Sequence, residues 1–259
     1  MHLGRTFVIA ANVFREVIRD RILYLIAFYG LVLAAATQLL PWVAANTQDK
    51  ILLDLGIAAI SLLGLLVAVF VGTGLVNKEI EKRTVFVMIA KPISTAEFIV
   101  GKHWGLTAVL AVLVAAMTGI FFAVLSVQQI PFPVLSLSLA ALFQILELSL
   151  ISAVAILFGV LTSPVLAMLL TLAIYLMGHL SRDLLTLGNL AKDTALSQVT
   201  QALYLILPDL ARLDWKNQAV YGMELMPSPF ELASHAAYGL IYTALLLAIA
   251  TFIFSRRQF

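Results

Sequence analysis

Glu147 is the residue of this chain whose type and position most clearly suggest chemistry. It is a carboxylate near the middle of a long apolar run, and Gln144 lies one turn earlier on the same helix face. A charged side chain inside a membrane is costly, so it often marks a substrate path, a proton relay or a buried hydrogen bond. Two interpretations stay open: a structural hydrogen bond between helices, and a direct role with substrate or in proton coupling.

The next apolar run supplies possible partners for this carboxylate. Thr171, Tyr175 and His179 follow one another at helical spacing, and the first two lie near the depth of Glu147. We therefore expect Glu147 to face a helix interface and to be hydrogen-bonded to Tyr175 or Thr171. The candidate set for an intramembrane polar or translocation site is Gln144, Glu147, Thr171, Tyr175 and His179.

A second candidate site is the charged stretch from Asn77 to Lys102, which separates two apolar runs. A charge at the centre of a bilayer costs about 2.5–3.5 kcal/mol, so this stretch must lie in water. Ser94 and Glu97 have the spacing of a capping box that opens a helix. The pattern predicts a short surface helix that passes force from a soluble partner to the flanking spans. The alternative is a plain connecting loop with positive charges.

Several kinds of site are excluded by the residue types. The chain has no cysteine, which excludes disulfides, thiolate metal sites and cysteine nucleophiles. Its four histidines are separated in sequence and form no His-Glu-x-x-His motif, so no metal site is expected. The sequence also lacks a phosphate-binding loop, and so this chain cannot hydrolyse ATP by itself in the usual manner. We expect no catalytic residue, no bound cofactor and no nucleic-acid partner.

The elements that position these residues are membrane-spanning helices. Hydrophobic residues make up 62% of the 259 residues, against about 45–50% in soluble domains, and the mean hydropathy is +1.04. Apolar runs of about 20 residues cross a hydrocarbon core of about 30 Å. We therefore predict an all-α integral membrane protein with one domain, residues 1–259. Its six predicted spans are about 22–40, 54–76, 104–125, 136–159, 164–181 and 235–254.

The distribution of basic residues predicts the orientation, because cytoplasmic loops carry an excess of Lys and Arg. We expect a multi-pass protein of the cell membrane with both termini in the cytoplasm. This arrangement places eleven of the sixteen basic residues inside: Arg5, Arg15, Arg19, Arg21, Lys78, Lys82, Arg83, Lys91, Lys102, Arg256 and Arg257.

The segment before the first span is predicted to be an amphipathic helix. Phe7, Ala11, Phe14, Ile18 and Ile22 recur at helical spacing, while charged residues occupy the other faces. Such a helix is suited to the inner headgroup plane of a membrane. An ordinary positively charged flank that happens to be helical is the alternative.

The long loop between the fifth and sixth spans is predicted to be structured. Residues 194–207 form a possible helix that ends at Pro208, and residues 208–222 combine turn formers with Leu, Trp and Tyr. Disordered segments lack this many large apolar residues. The composition therefore favours a folded outer cap or short re-entrant helices over disorder.

The sequence resembles the permease subunits of type-2 ABC exporters, especially the branch labelled multicopper-enzyme-maturation permeases. The charged stretch carries a fairly specific part of the likeness, with the pattern Glu-x-x-x-Arg-Thr, Lys-Pro-Ile-Ser, Glu-Phe and Gly-Lys. Together with the six-span layout, four stretches extend the likeness over most of the chain: residues 14–24, 77–102, 162–179 and 207–222.

The resemblance implies ATP-driven export by alternating access. A separate ATPase subunit, carrying ATP and Mg, would bind from the cytoplasm, and two copies or two related permeases would pair around a central pathway. The surface helix would act as a coupling helix between spans two and three, and the amphipathic start as a connecting helix. By their place in the matching pattern, the residues that would face the ATPase are Glu81, Arg83, Lys91, Pro92, Ser94 and Glu97.

Two other functions compete with this reading. A proton-coupled secondary transporter would use Glu147 as its proton site, but the broken helices and similar halves of such proteins are not evident in the sequence. A membrane scaffold without transport activity is the second alternative.

Overall fold

The computed structural model describes residues 2–43, 47–81, 94–190 and 194–256, which form helices and turns without a strand. The long helices follow the apolar runs of the sequence. In chain order the α-helices are α1 Leu3–Val17, α2 Leu23–Val43, α3 Gln48–Glu81, α4 Thr95–Val127, α5 Val134–Leu161, α6 Pro164–His179, α7 Ser181–Leu190, α8 Thr194–Ile206, α9 Lys216–Ala219 and α10 Pro229–Arg256. A π-helical turn, Ile18–Ile22, joins α1 to α2, and 3-10 turns lie at Leu210–Arg212 and Met223–Leu225.

Five of the helices in the described part of the chain are long and apolar enough to cross a membrane: α2, α3, α4, α5 and α10. This confirms an all-α membrane protein. Helix α6 is apolar but has only 16 residues, which span about 24 Å against a core of about 30 Å. The count of six spans therefore stays a prediction. Helix α4, with 33 residues, is about 50 Å long and must reach beyond the hydrocarbon.

Helix α5 lies at the centre of the bundle. It contacts α3, α4, α6 and α10, and Leu148, Ile151 and Ala155 along it are fully buried. A helix that is apolar on all sides can be buried on all sides. Helix α2, in contrast, is peripheral and leaves Phe28 and Trp42 exposed. The central place of α5 puts its single carboxylate in the interior of the protein.

Helix α1 confirms the predicted amino-terminal helix, but the face that it buries is a different one. Thr6, Ala10, Val13 and Val17, spaced three or four residues apart, are buried where α1 packs along α4. Phe7, from the predicted apolar stripe, remains 69% exposed. Helix α1 packs closely on α4 because α4 presents Gly101 and Gly105 there, while Phe14 and Ile18 of the predicted stripe pack partly against the core. Its place in the headgroup plane stays a prediction.

The described residues between α6 and α10 form helices and 3-10 turns. A folded outer cap stays a prediction. Helix α8, Thr194–Ile206, matches the predicted helix, and Pro208 follows it closely. The 3-10 turn Leu210–Arg212 and the short helix α9 then return the chain to the bundle, where Leu210, Leu213 and Ala219 are fully buried. This return brings polar residues of the segment close to α5 and α6.

Candidate functional site

Glu147 lies inside the helix bundle and faces the end of α6. The residue is 0% exposed, and its Oε1 lies 3.3 Å from Nε2 of His179, the last residue of α6. The same nitrogen lies 3.4 Å from Oδ2 of Asp214, in the turn before α9. The structure thus joins two of the predicted residues, Glu147 and His179, and adds a second carboxylate that the sequence analysis missed.

Asp214 is in turn paired with Lys216, whose Nζ lies 3.1 Å from Oδ2. The Lys216 ammonium also donates a hydrogen bond of 3.1 Å to Oγ of Ser61 on α3. We call Glu147, His179, Asp214 and Lys216 the carboxylate–histidine cluster. Because its members come from α5, α6 and the segment around α9, the cluster fastens this segment to the helix bundle.

The two loop members of the cluster stabilise each other in their charged forms. Burial alone would raise the pKa of Asp214, but the nearby His179 and Lys216 outweigh burial and lower it. Burial likewise opposes the charge of Lys216, yet the carboxylates of Asp214 and Glu147 raise its pKa. Asp214 and Lys216 therefore form a charged pair at neutral pH.

His179 faces two carboxylates through its Nε2. Its Nδ1 lies 3.0 Å from the carbonyl oxygen of Tyr175, and since a carbonyl only accepts, Nδ1 must carry a proton. Nε2 is therefore the ring nitrogen that meets Glu147 and Asp214.

Thr171 and Tyr175, two other predicted members of the intramembrane set, have local partners. Thr171 donates through its hydroxyl to the carbonyl of Ala167, at 2.7 Å, in its own helix. Tyr175 packs its ring on His179, with centroids 4.5 Å apart. Neither oxygen of Glu147 has a hydrogen-bond partner among the described residues. The expected hydrogen bond from Thr171 or Tyr175 is therefore wrong, and the charged contact with His179 takes its place.

Two cavities adjoin the cluster. Gln144, which is 7% exposed, lines a cavity of about 30 Å³ together with Phe121 and Lys216, and this volume matches that of about one water molecule. A larger cavity, of about 370 Å³, is lined by Lys216 together with Asp54 and Tyr221. Within the described ranges no group of three or more His, Asp or Glu residues is placed to hold a metal. The small cavity beside Gln144 therefore has no room for cargo.

A second charged centre, at Asp209, was not predicted. Its Oδ2 accepts hydrogen bonds from Nε of Arg182 and from Nε of Arg212, each 3.0 Å long, and its backbone N–H donates to the Tyr238 hydroxyl at 2.8 Å. Asp209 is only 3% exposed. The one feature of the sequence that could have pointed to Asp209 is its place directly after Pro208, where the apolar run 194–207 ends. This centre holds the segment after α8 against α10.

The second candidate site begins at the amino-terminal end of α4. Oγ of Ser94 accepts the backbone N–H of Glu97 at 3.2 Å, and the backbone N–H of Ser94 donates to Oε2 of Glu97 at 3.1 Å. These bonds confirm the predicted capping box. Oε1 of Glu97 also accepts the backbone N–H of His2. One carboxylate therefore holds the start of α1 against the start of α4.

The residues predicted to face an ATPase are only partly described by the structure. Glu97 is 2% exposed, so its carboxylate is engaged within the chain. Nearby, Nζ of Lys102 donates to Oε1 of Glu79 at 3.0 Å and ties α4 to the end of α3. Glu81 is the last residue of α3, and Arg83, Lys91 and Pro92 lie outside the described residues. A contact of these residues with an ATPase stays a prediction.

Replacing Glu97 with alanine is expected to weaken the junction of α1 and α4. Loss of the bonds from the Glu97 carboxylate to the backbone N–H groups of Ser94 and His2 should lower the free energy of unfolding by about 1–2 kcal/mol. Glu231→Ala is the matched control, because Glu231 forms a similar but exposed box with Ser228. The control should lower the free energy of unfolding less, because water replaces the bonds of an exposed carboxylate. Thermal unfolding in detergent measures both losses, and equal losses would show that the bond to His2 adds nothing.

Comparison with protein families shows which kind of membrane protein this is. The family described as ABC-2 family transporter protein matches residues 7–259. The chain belongs to this family. ABC-2 proteins are membrane permease components of ABC transporters, and the family in general implies a partner ATPase subunit. No curated protein matches the chain, so the multicopper-enzyme-maturation branch stays a prediction.

In this ABC-2 transporter the two candidate sites lie far apart along one helix. Ser61 contacts the carboxylate–histidine cluster, and Glu79 contacts the start of α4. Both residues belong to α3. Their separation of eighteen positions corresponds to a distance of about 27 Å along the helix axis. Helix α3 therefore runs from one site to the other.

Proposed function

We propose that this ABC-2 transporter is the membrane-spanning permease of an ATP-driven exporter in the cell membrane, with both termini in the cytoplasm. The family match over residues 7–259 carries the proposal. ATP and Mg belong to the separate ATPase subunit, since the chain has no phosphate-binding loop. Two copies, or this chain and a related permease, pair around the pathway.

The ATPase acts on the segment that joins α3 to α4. The contacts on both sides of residues 82–93 support this assignment. Glu79 and Lys102 tie α3 to α4, while Glu97 ties α4 to His2 at the start of α1. A push on the segment therefore moves α1, α3 and α4 together. The ATPase can shift the permease between two states only through contacts that differ between them.

The carboxylate–histidine cluster lies near the other end of α3. It is the part of the pathway wall that changes when the ATPase moves this helix. Movement of α3 reaches it through the bond between Ser61 and Lys216. Because Ser61 carries no charge, this bond breaks more readily than the ion pair of Asp214 and Lys216. The segment around α9 is then free to open the pathway outward.

Reversing two charges in the joining segment should abolish binding of the ATPase. In the double variant Arg83→Glu with Lys91→Glu, like charges meet across the interface, and the ATPase that co-purifies with the tagged permease should fall more than about tenfold. We choose these residues because Glu97 is already engaged within the chain. Nucleotide hydrolysis in the eluate measures the bound ATPase.

The double variant Lys50→Glu with Lys192→Glu is the matched control. It makes the same change of charge on the side of the membrane that we assign to the exterior, and co-purification should stay at the original level. If the ATPase is retained by the first variant at ordinary salt, or lost equally from both, the joining segment is not its binding site.

A further inference from the structure

A groove lies between the junction of α1 with α2, near Val17 and Ile22, and the carboxy-terminal half of α3, which leads into residues 82–93, the joining segment. We call the junction of α1 with α2 the α1–α2 corner. Its volume is about 660 Å³, within the range of ligand pockets, about 300–1,000 Å³. Its wall along α3 extends from Leu66 to Lys78, which corresponds to about 18 Å. One leaflet of the hydrocarbon core is about 15 Å thick. The groove therefore has the length of a single lipid leaflet.

The groove is apolar along most of its length and charged at one end. Its apolar wall is formed by Val17, Ile22, Leu25, Leu66, Phe70 and Leu75. The charged end holds Glu16, Lys78, Glu79 and Lys102, which lie at the ends of α1, α3 and α4. This is the distribution of polarity along a phospholipid, with the headgroup at the membrane surface and a chain in the core.

Two of the four charged residues remain available to a ligand. Lys102 and Glu79 are bonded to each other at 3.0 Å. Glu16 and Lys78 are both exposed, and neither has an ion-pair partner in the described ranges. The mouth of the groove therefore offers one carboxylate and one ammonium.

We propose that this groove binds an aminophospholipid of the inner leaflet, with the headgroup chemistry of phosphatidylethanolamine. Its phosphate would bind the Lys78 ammonium, and its primary ammonium would donate to the Glu16 carboxylate. Phosphatidylglycerol has no cation for Glu16, and the methylated ammonium of phosphatidylcholine has no N–H to donate. One acyl chain lies along the apolar wall. The bound lipid thus joins the α1–α2 corner to α3.

The test is the thermal stability of the purified full-length chain in detergent, titrated with each of the three lipids. A ligand that binds the folded state raises the melting temperature, and at a given ligand concentration the rise is larger the more tightly the ligand binds. We expect phosphatidylethanolamine to bind about two- to fivefold more tightly than phosphatidylglycerol or phosphatidylcholine, from one added exposed charge contact. Equal stabilisation by all three lipids would show that bulk bilayer lipid fills the groove, and would overturn the proposal.

Two charge variants test the residues themselves. Glu16→Lys places two cations at the mouth and should reverse the order of affinity, so that phosphatidylglycerol binds most tightly. Lys78→Glu removes the phosphate contact and should abolish the preference. Lys50→Glu, an exposed lysine away from the groove, should keep the original order. A preference for phosphatidylethanolamine that survives Glu16→Lys would contradict the assignment. None of these outcomes depends on the ATPase, because the chain is measured alone.

Discussion

Exchanging His179 for glutamine is expected to lower the free energy of unfolding by about 3 kcal/mol. The exchange leaves Glu147, which is fully buried, beside a neutral amide. Removal of one partner of a buried ion pair costs about 3–5 kcal/mol. Thermal unfolding of the purified permease in detergent measures the loss.

The double variant Glu147→Gln with His179→Gln supplies the control. Two neutral amides face each other in it, and the Asp214–Lys216 pair stays balanced. We therefore expect the double variant to be more stable than His179→Gln alone, and Glu147→Gln alone to keep its fold. Strict addition of the two single losses would mean that the residues do not interact. In that case the 3.3 Å contact between Glu147 and His179 would contribute nothing to stability.

Replacing Gly105 with leucine is expected to separate α1 from α4. A Cβ atom at Gly105 would lie 2.6 Å from the carbonyl oxygen of Ala10 and 2.7 Å from Cβ of Val13. Neither atom can move without moving the backbone of α1. Overpacking of this kind costs about 1–3 kcal/mol, which changes the ratio of docked to undocked α1 by roughly 5- to 150-fold.

Thiol labelling can measure this separation directly, because the chain has no cysteine of its own. Ala10→Cys places one thiol on the buried face of α1, where Ala10 is 8% exposed. Its reaction with a maleimide should be slow in the parent and much faster with Gly105→Leu. Gly119→Leu is the matched control, since nothing lies within 4 Å of a Cβ atom at that site on the same helix. Equal rates in both variants would show that α1 does not depend on the glycine.

The positions of the long helices could be predicted from hydropathy because lipid leaves the backbone few alternatives. A segment in hydrocarbon must satisfy its own N–H and C=O groups, and an apolar run of sufficient length does so as a helix. The run 136–159 became α5, Val134–Leu161, and the run 235–254 became α10, Pro229–Arg256. The start of α4 was equally predictable, because a capping box acts between residues three apart in sequence.

The face of α1 could not be predicted in the same way. Phe7, Ala10 and Val13 are all apolar, so periodicity alone allows more than one stripe. The choice depended on α4, where Gly101 and Gly105 let the backbone of α1 approach closely along the face that carries Thr6, Ala10 and Val13. The two helices are far apart in sequence, and a local sequence pattern cannot predict that they pack together.

The chain by itself determined the class of protein, the site of most of its helices and the isolation of one carboxylate in an apolar run. Only the tertiary structure decided what that carboxylate meets. His179, Asp214 and Lys216 reach Glu147 because the chain returns to the bundle after α8 and because α5 and α6 take one particular rotation about their axes. Such long-range contacts depend on how the helices pack against one another, and the hydropathy of the sequence does not predict that packing.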